Sequence, residues 1–262
     1  MKIGFFDSGV GGISVLYQAL KVLPAEDYLY YADTDHVPYG EKSTEQVRQY
    51  VAEAVDFIAA QRVKALVLAC NSATSAMAVD ARSRYDFPII GIEPAVKPAL
   101  SKAHSEGRRV LVMATRLTLK EEKFAHLVAE LDGEGVVDRL PLPGLVKYAE
   151  QLEFNQDILI PYFQEQLSAF DLCRYDTVVL GCTHFPLYRD ILQKVLAPGT
   201  DIIDGGAGTA RNLQRILTER NQVGGGSGNI DYYASGVKVE DSDTLQRYTL
   251  LLKRMRDMEA AL

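Results

Sequence analysis

The sequence has 262 residues, enough for one large domain or two small ones with a sizeable core. Apolar residues make up 47% and charged residues 24%, an ordinary balance for a globular chain, and the formal net charge is −7. That acidic balance, with no basic run, argues against nucleic acid or an anionic membrane as the main partner, and no apolar run is long enough to span a bilayer.

Taken in order, the chain enters a strand at once, over 3–6, with no signal-peptide stretch before it. The loop Asp7-Ser8-Gly9-Val10-Gly11-Gly12 follows and opens a helix. A second apolar run covers 28–32. Residues 45–61 carry Val47, Val51, Val55 and Ile58 on one helical face. Further strand-like runs cover 65–68, 89–92, 110–114, 177–180 and 202–203, with an eighth at 230–234. Near-continuous apolar strands alternating with helices predict an α/β fold, doubly wound, with parallel-rich sheets covered on both faces.

The chain also echoes itself. Leu66-Val67-Leu68-Ala69-Cys70-Asn71 resembles Val178-Val179-Leu180-Gly181-Cys182-Thr183, and Phe5-Phe6-Asp7-Ser8-Gly9 resembles Ile202-Ile203-Asp204-Gly205-Gly206. Two similar lobes related by a pseudo-two-fold axis would produce such an echo. The first lobe would hold residues 1–97 and the returning segment 208–262; the second would hold 98–207. The stretch Gly224-Gly225-Gly226-Ser227-Gly228 reads as a flexible turn within that return and not as a domain linker.

In open α/β sheets ligands sit beyond the carboxyl ends of strands, where both Cys70 and Cys182 fall. Taken singly, each cysteine is as readily a small buried hydrophobe. Cys173, at a helix end without a matching motif, fits that reading. Cys70 leads into Asn71-Ser72-Ala73-Thr74, a cluster suited to a helix N-terminus, which lowers a thiol pKa and attracts carboxylates. Cys182-Thr183-His184 adds a titratable imidazole two residues on; in isolation it could equally be a capping residue. No zinc-ligand spacing is present. Three cysteines without a secretory signal predict free thiols and a cytoplasmic address. The first glycine loop superficially matches a dinucleotide fingerprint, with Asp33 near the expected acidic position. However, Ser14 stands in the third glycine slot, and Asp7 would repel a pyrophosphate. A cationic ammonium suits Asp7 better.

Asp7-Ser8-Gly9-Val10-Gly11-Gly12, Asp35-His36-Val37-Pro38-Tyr39-Gly40, Ala69-Cys70-Asn71-Ser72-Ala73-Thr74 and Leu180-Gly181-Cys182-Thr183-His184-Phe185-Pro186 together resemble the signature segments of the glutamate racemases. Position 72 departs from the common pattern, with Ser where Thr is usual, which retains the hydroxyl. The resemblance implies racemisation of glutamate without pyridoxal phosphate, metal or any other cofactor, supplying D-glutamate for peptidoglycan. It assigns Cys70 to deprotonate D-glutamate and Cys182 L-glutamate, with Asp7 assisting the first thiol and His184 the second. Ser8, Pro38, Tyr39, Gly40, Asn71, Ser72, Thr74 and Thr183 would line the substrate site, joined by Thr115, Thr118 and Glu150. The resemblance also implies a homodimer. Three other readings stand beside it: an aspartate or hydantoin racemase, an amino-acid sensor on the same scaffold, and a dinucleotide-dependent oxidoreductase.

Overall fold

The computed structural model describes residues 1–100, 108–120, 122–132 and 135–261. It contains two sheets. The first is built from β1 (Ile3–Asp7), β2 (Tyr28–Ala32), β3 (Ala65–Leu68), β4 (Ile89–Gly91), β9 (Ile230–Ala234) and β10 (Val237–Lys238), in the order β10-β9-β2-β1-β3-β4. The second is built from β5 (Arg109–Ala114), β6 (Val137–Pro141), β7 (Tyr175–Gly181) and β8 (Asp201–Asp204), in the order β6-β5-β7-β8. Every pairing is parallel except that of β9 with β10.

The strand order repeats. β2-β1-β3-β4 and β6-β5-β7-β8 are one arrangement used twice, so β3 and β7 are counterparts. The echo around Cys70 and Cys182 is therefore topological: each cysteine follows the counterpart strand of its own sheet. The aspartate echo is not. Asp7 ends β1, whereas Asp204 ends β8, the counterpart of β4.

Side-chain alternation along buried strands divides the core. Phe5, Tyr28 and Tyr30 point into one apolar cluster that also holds Leu111, Met113, Val178 and Leu180 of the second sheet. Phe6, Leu29 and Tyr31, one residue out of phase, join Val47, Val51, Val55 and Ile58 in a second cluster on the other face. Val110, Val112 and Val179 belong to a third cluster in the second lobe. The two lobes thus share one core and each keeps another of its own.

All eight predicted runs are strands. Two more, β6 and β10, were not foreseen. β6 carries Asp138 and Arg139 side by side and is an edge strand, so it lacks the fully buried signature of its neighbours. The predicted helix over 45–61 runs from Thr44 to Ala60 as α2, capped by Ser43, with Gln46 completing a capping box. The glycine stretch 224–228 corrects the expectation of a flexible turn. It is pinned to the segment before β2: Gly226 N–H donates to the Ala25 carbonyl at 2.9 Å, Gly228 N–H to Glu26 O at 3.1 Å, and Gly224 N–H to the Glu26 carboxylate at 2.6 Å. Cys173 is also corrected: it is exposed, in a short 3-10 turn over Leu172–Arg174. No helix among the described residues is long and apolar enough to cross a membrane.

Candidate active site

The register of the first sheet sets the site. Parallel pairing of Phe6 with Leu68 brings the ends of β1 and β3 side by side, so the Asp7-Ser8 turn adjoins Cys70. Cys70 has extended backbone (φ −80°, ψ 122°) and is the N-cap of helix α3 (Asn71–Arg84). In the second sheet β5 and β7 pair up to Ala114 and Gly181, which sets Thr115 beside Cys182.

The carboxyl ends of the two sheets enclose one small cavity. The first lobe lines it with Ser8, Pro38, Tyr39, Gly40, Cys70, Asn71 and Ser72, and the second with Thr115, Val146, Cys182, Thr183 and His184. Its volume is about 10 Å³, room for roughly one water and far too little for an amino acid. The two lobes meet here with little space between them, so a ligand the size of an amino acid needs this lining to give way.

Hydrogen bonds run across the cleft and along each of its walls. Thr183 Oγ1 donates to Asp7 Oδ2 at 2.9 Å. The Val10 N–H donates to Glu150 Oε1 at 2.9 Å, and the same oxygen lies 2.6 Å from His184 Nε2. His184 Nδ1 lies 3.6 Å from Cys182 Sγ, completing a chain from Glu150 through the imidazole to the thiol. Ser72 Oγ lies 3.1 Å from Thr115 Oγ1 and 3.3 Å from Thr118 Oγ1. Cys70 Sγ donates to Ser8 Oγ at 3.7 Å.

Burial governs the charges. It pushes the Cys70 thiol up to about 12, with the Asp7 charge adding to the push and a bond from the Ala73 N–H opposing it. Burial also raises the Asp7 carboxyl above the usual carboxylate range, while His184 and the donors from Gly9 and Thr183 pull it back. For His184 burial alone would lower the pKa, but its bonds to Cys182 and Glu150 outweigh that and hold it well above an ordinary histidine. An imidazole whose protonated form is favoured therefore lies beside one thiol, and a buried carboxyl group acts on the other. Asn71 is buried, and its Oδ1 has no hydrogen-bond partner, which leaves an acceptor for an incoming ammonium or amide.

The high Cys70 value predicts how the thiol reacts without substrate. Only the thiolate is alkylated, so the rate should rise about tenfold per pH unit while pH stays well below the pKa. Between pH 7 and 10 iodoacetamide labelling of the Cys70 peptide, followed by mass spectrometry, is expected to climb without levelling, whereas a small free thiol levels off above about 8.5. A plateau below pH 10 would contradict the desolvated thiol.

Not every predicted residue reaches the cavity. The Thr74 hydroxyl donates to the Leu68 carbonyl at 3.0 Å on the far side of α3, where its methyl faces Gly91. The Tyr39 ring lines the cavity, but its hydroxyl donates to Asp33 Oδ2 at 2.5 Å. Thr118 reaches the site through Ser72 and Thr115, and Glu150 and Asp7 through His184 and Thr183. Asp204, the apparent echo of Asp7, pairs with Arg189 at 2.6 Å and lies outside the cavity. Sequence reading missed Val146, which carries no polar signal. It also missed the part of Asp33, which accepts from Tyr39, from Ser235 at 3.1 Å and from His36 at 2.9 Å.

The glycines of the first loop are contact points. A Cβ on Gly11 would lie 2.5 Å from His184 Nδ1 and 2.6 Å from Thr183 Oγ1, and one on Gly9 would lie 2.0 Å from Glu150 Oε1. Their backbones are therefore the surface against which the second lobe docks.

A model of the Asp/Glu/hydantoin racemase family matches residues 14–213. The chain belongs to this family. Within it, the chain is 54% identical to glutamate racemase 2 of Bacillus subtilis (strain 168) over 253 residues, covering 97% of this chain and 96% of that one. Among solved structures it is similar to Escherichia coli glutamate racemase in complex with L-glutamate and the activator UDP-MurNAc-Ala, at 30% identity and TM-score 0.79, covering 97% and 95% of the two chains. It is also similar to the Francisella tularensis glutamate racemase in complex with D-glutamate, at 25% identity and TM-score 0.80, covering 96% and 93%. The chain thus shares its fold and nearly its full length with glutamate racemases.

Proposed function

We propose that the chain interconverts L- and D-glutamate by passing protons between two thiols, with no cofactor. The observation that carries the proposal is the placement of Cys70 and Cys182 at counterpart strand ends, both lining one closed cavity. Binding alone needs neither thiol, which disfavours a sensor.

The α-hydrogen of an amino acid is very weakly acidic. Removing it takes a base on one face, and inversion takes an acid on the other. With L-glutamate, the Cys182 thiolate takes the α-proton. The electron pair left on the α-carbon takes the proton of the Cys70 thiol from the opposite face. The enzyme ends with Cys182 as thiol and Cys70 as thiolate, ready for D-glutamate. His184 exchanges protons with Cys182, and Glu150 holds the imidazole in place. Asp7, whose raised pKa suits it to carrying a proton, serves the Cys70 side. Ser8, Asn71, Ser72, Thr115 and Thr183 are the polar groups positioned to bind the carboxylates and the ammonium; Gly40 packs against Thr115 and sets the wall there. Fixed donors of this kind also stabilise charge developing in the transition state. The lobes divide as 1–97 with 208–262 and 98–207, and the product serves peptidoglycan synthesis in the cytoplasm.

The test is circular dichroism of pure protein with L-glutamate and no added cofactor. The signal should decay to zero, and likewise from D-glutamate, because the enantiomers have equal free energy. No decay, or decay only after adding pyridoxal phosphate, would overturn the proposal.

A further inference from the structure

Ser14 breaks the glycine pattern of the first loop, and the chemistry above gives it no task. It is buried, at the second residue of helix α1 (Ile13–Val22) in the first lobe. Its hydroxyl oxygen lies 2.8 Å from the Thr183 carbonyl, across the cleft, and 2.9 Å from the Gly11 carbonyl in its own turn. Thr183 is the residue between Cys182 and His184.

We propose that Ser14 is a positioning residue that couples closure of the lobes to the placement of the Cys182–His184 pair. The proposal rests on the two-thiol reading above. A serine hydroxyl has one hydrogen and can donate to only one of its two acceptors at a time. The Gly11 carbonyl already accepts the Ser14 N–H at 3.0 Å and belongs to the same lobe, so it stays within reach whether the lobes are together or apart. The Thr183 carbonyl is within reach only when they are closed. Parting the lobes therefore costs little at this point, because the hydroxyl turns to Gly11 and no buried donor is orphaned. Closing returns it to Thr183.

Thr183 is then held from the first lobe by two groups: its carbonyl by Ser14, and its hydroxyl by Asp7 at 2.9 Å. His184, the next residue, lies flush against Gly11. The segment carrying Cys182 and His184 is thus held from its own lobe by Glu150 and from the first lobe by Ser14, Asp7 and Gly11. Cys70 differs: its thiol bonds to Ser8 and its backbone stands at the N-terminus of α3, both within the first lobe. Loss of the Ser14 hydroxyl should therefore slow proton transfer at Cys182 more than at Cys70, which Thr183 reaches only through its bond to Asp7.

Ser14→Ala is expected to lower kcat/KM by about five- to tenfold, the worth of one neutral hydrogen bond. The loss must be equal in both directions, because the equilibrium constant is fixed at unity. The discriminating readout is the primary isotope effect on kcat/KM with α-deuterated substrates. From L-glutamate, Cys182 breaks the carbon–deuterium bond, so slowing that step raises the effect. From D-glutamate, Cys70 breaks the bond and Cys182 only delivers the second proton, so the effect falls. A loosened fold would instead lower the thermal midpoint and move both effects alike. Ser14→Thr, which keeps the hydroxyl, is expected to stay within about twofold of wild type, well inside the span of one lost hydrogen bond. Unchanged kcat/KM in Ser14→Ala, or isotope effects that change equally from the two enantiomers, would overturn the coupling. Failure of the underlying reading looks different: wild-type protein that does not racemise glutamate, or a Cys182→Ala variant that does.

Discussion

Alanine at Cys70, or at Cys182, is expected to lower turnover of glutamate by about 10³-fold or more in both directions, the upper part of what one positioned acid or base contributes. Every turnover needs one group to take a proton and another to give one, so neither thiol can substitute for its partner. The loss should be chemical and not structural. Both cysteines are buried at strand ends where only a sulfur is removed, and neither is part of a disulfide. The melting temperature should therefore stay within a few degrees, and binding of glutamate should persist. Turnover within tenfold of wild type in either variant would contradict the division of labour.

The second large effect comes from a residue with no side chain. Gly11→Ala is expected to lower kcat/KM by about 10²-fold, because displacing a catalytic group by even 1 Å costs on that order. The added methyl would sit 2.5 Å from His184 Nδ1 and 2.6 Å from Thr183 Oγ1, so one of the two must move. His184 has little freedom: it is buried, bonded to Glu150 on one side and facing Cys182 on the other. The alternative is incomplete closure, which breaks the bond from Thr183 to Asp7. Gly9→Ala acts one step further back, since its methyl would displace the Glu150 carboxylate that bonds Val10 and His184. The check is steady-state kinetics with a thermal melt. Wild-type kcat/KM in Gly11→Ala would show that the close approach of the two lobes is not needed for catalysis.

Much of this was legible in the sequence for definite reasons. β1, β2 and β3 are buried along their whole length, and a strand covered on both faces must be apolar throughout. Edge strand β6 escapes that rule, and β10 has only two residues. The cysteine pair was legible because a duplicated strand order places both thiols at the same point of two similar sheets. The aspartate echo misled for the converse reason, since short motifs repeat without regard to topology. Thr74 shows the limit of reading a motif as a block: four residues on from Cys70, it lies one turn along α3, and its hydroxyl folds back to Leu68. Ser14 was visible only as a defect in a glycine pattern. Its partner Thr183 lies in the other lobe, and nothing local to residue 14 announces it.

Assignment of each thiol to one face of the α-carbon is tested most directly by an elimination that needs only one of them. A glutamate analogue with a leaving group on the β-carbon loses that group once the α-proton is gone, and no reprotonation from the other face is required. Each single variant should then keep half of the chemistry. Cys182→Ala is expected to eliminate from the D-like analogue and not from the L-like one, because Cys70 still reaches the D proton. Cys70→Ala is expected to show the opposite preference. Elimination from the same enantiomer in both variants would contradict the placement of the thiols on opposite faces, even in a protein that racemises glutamate.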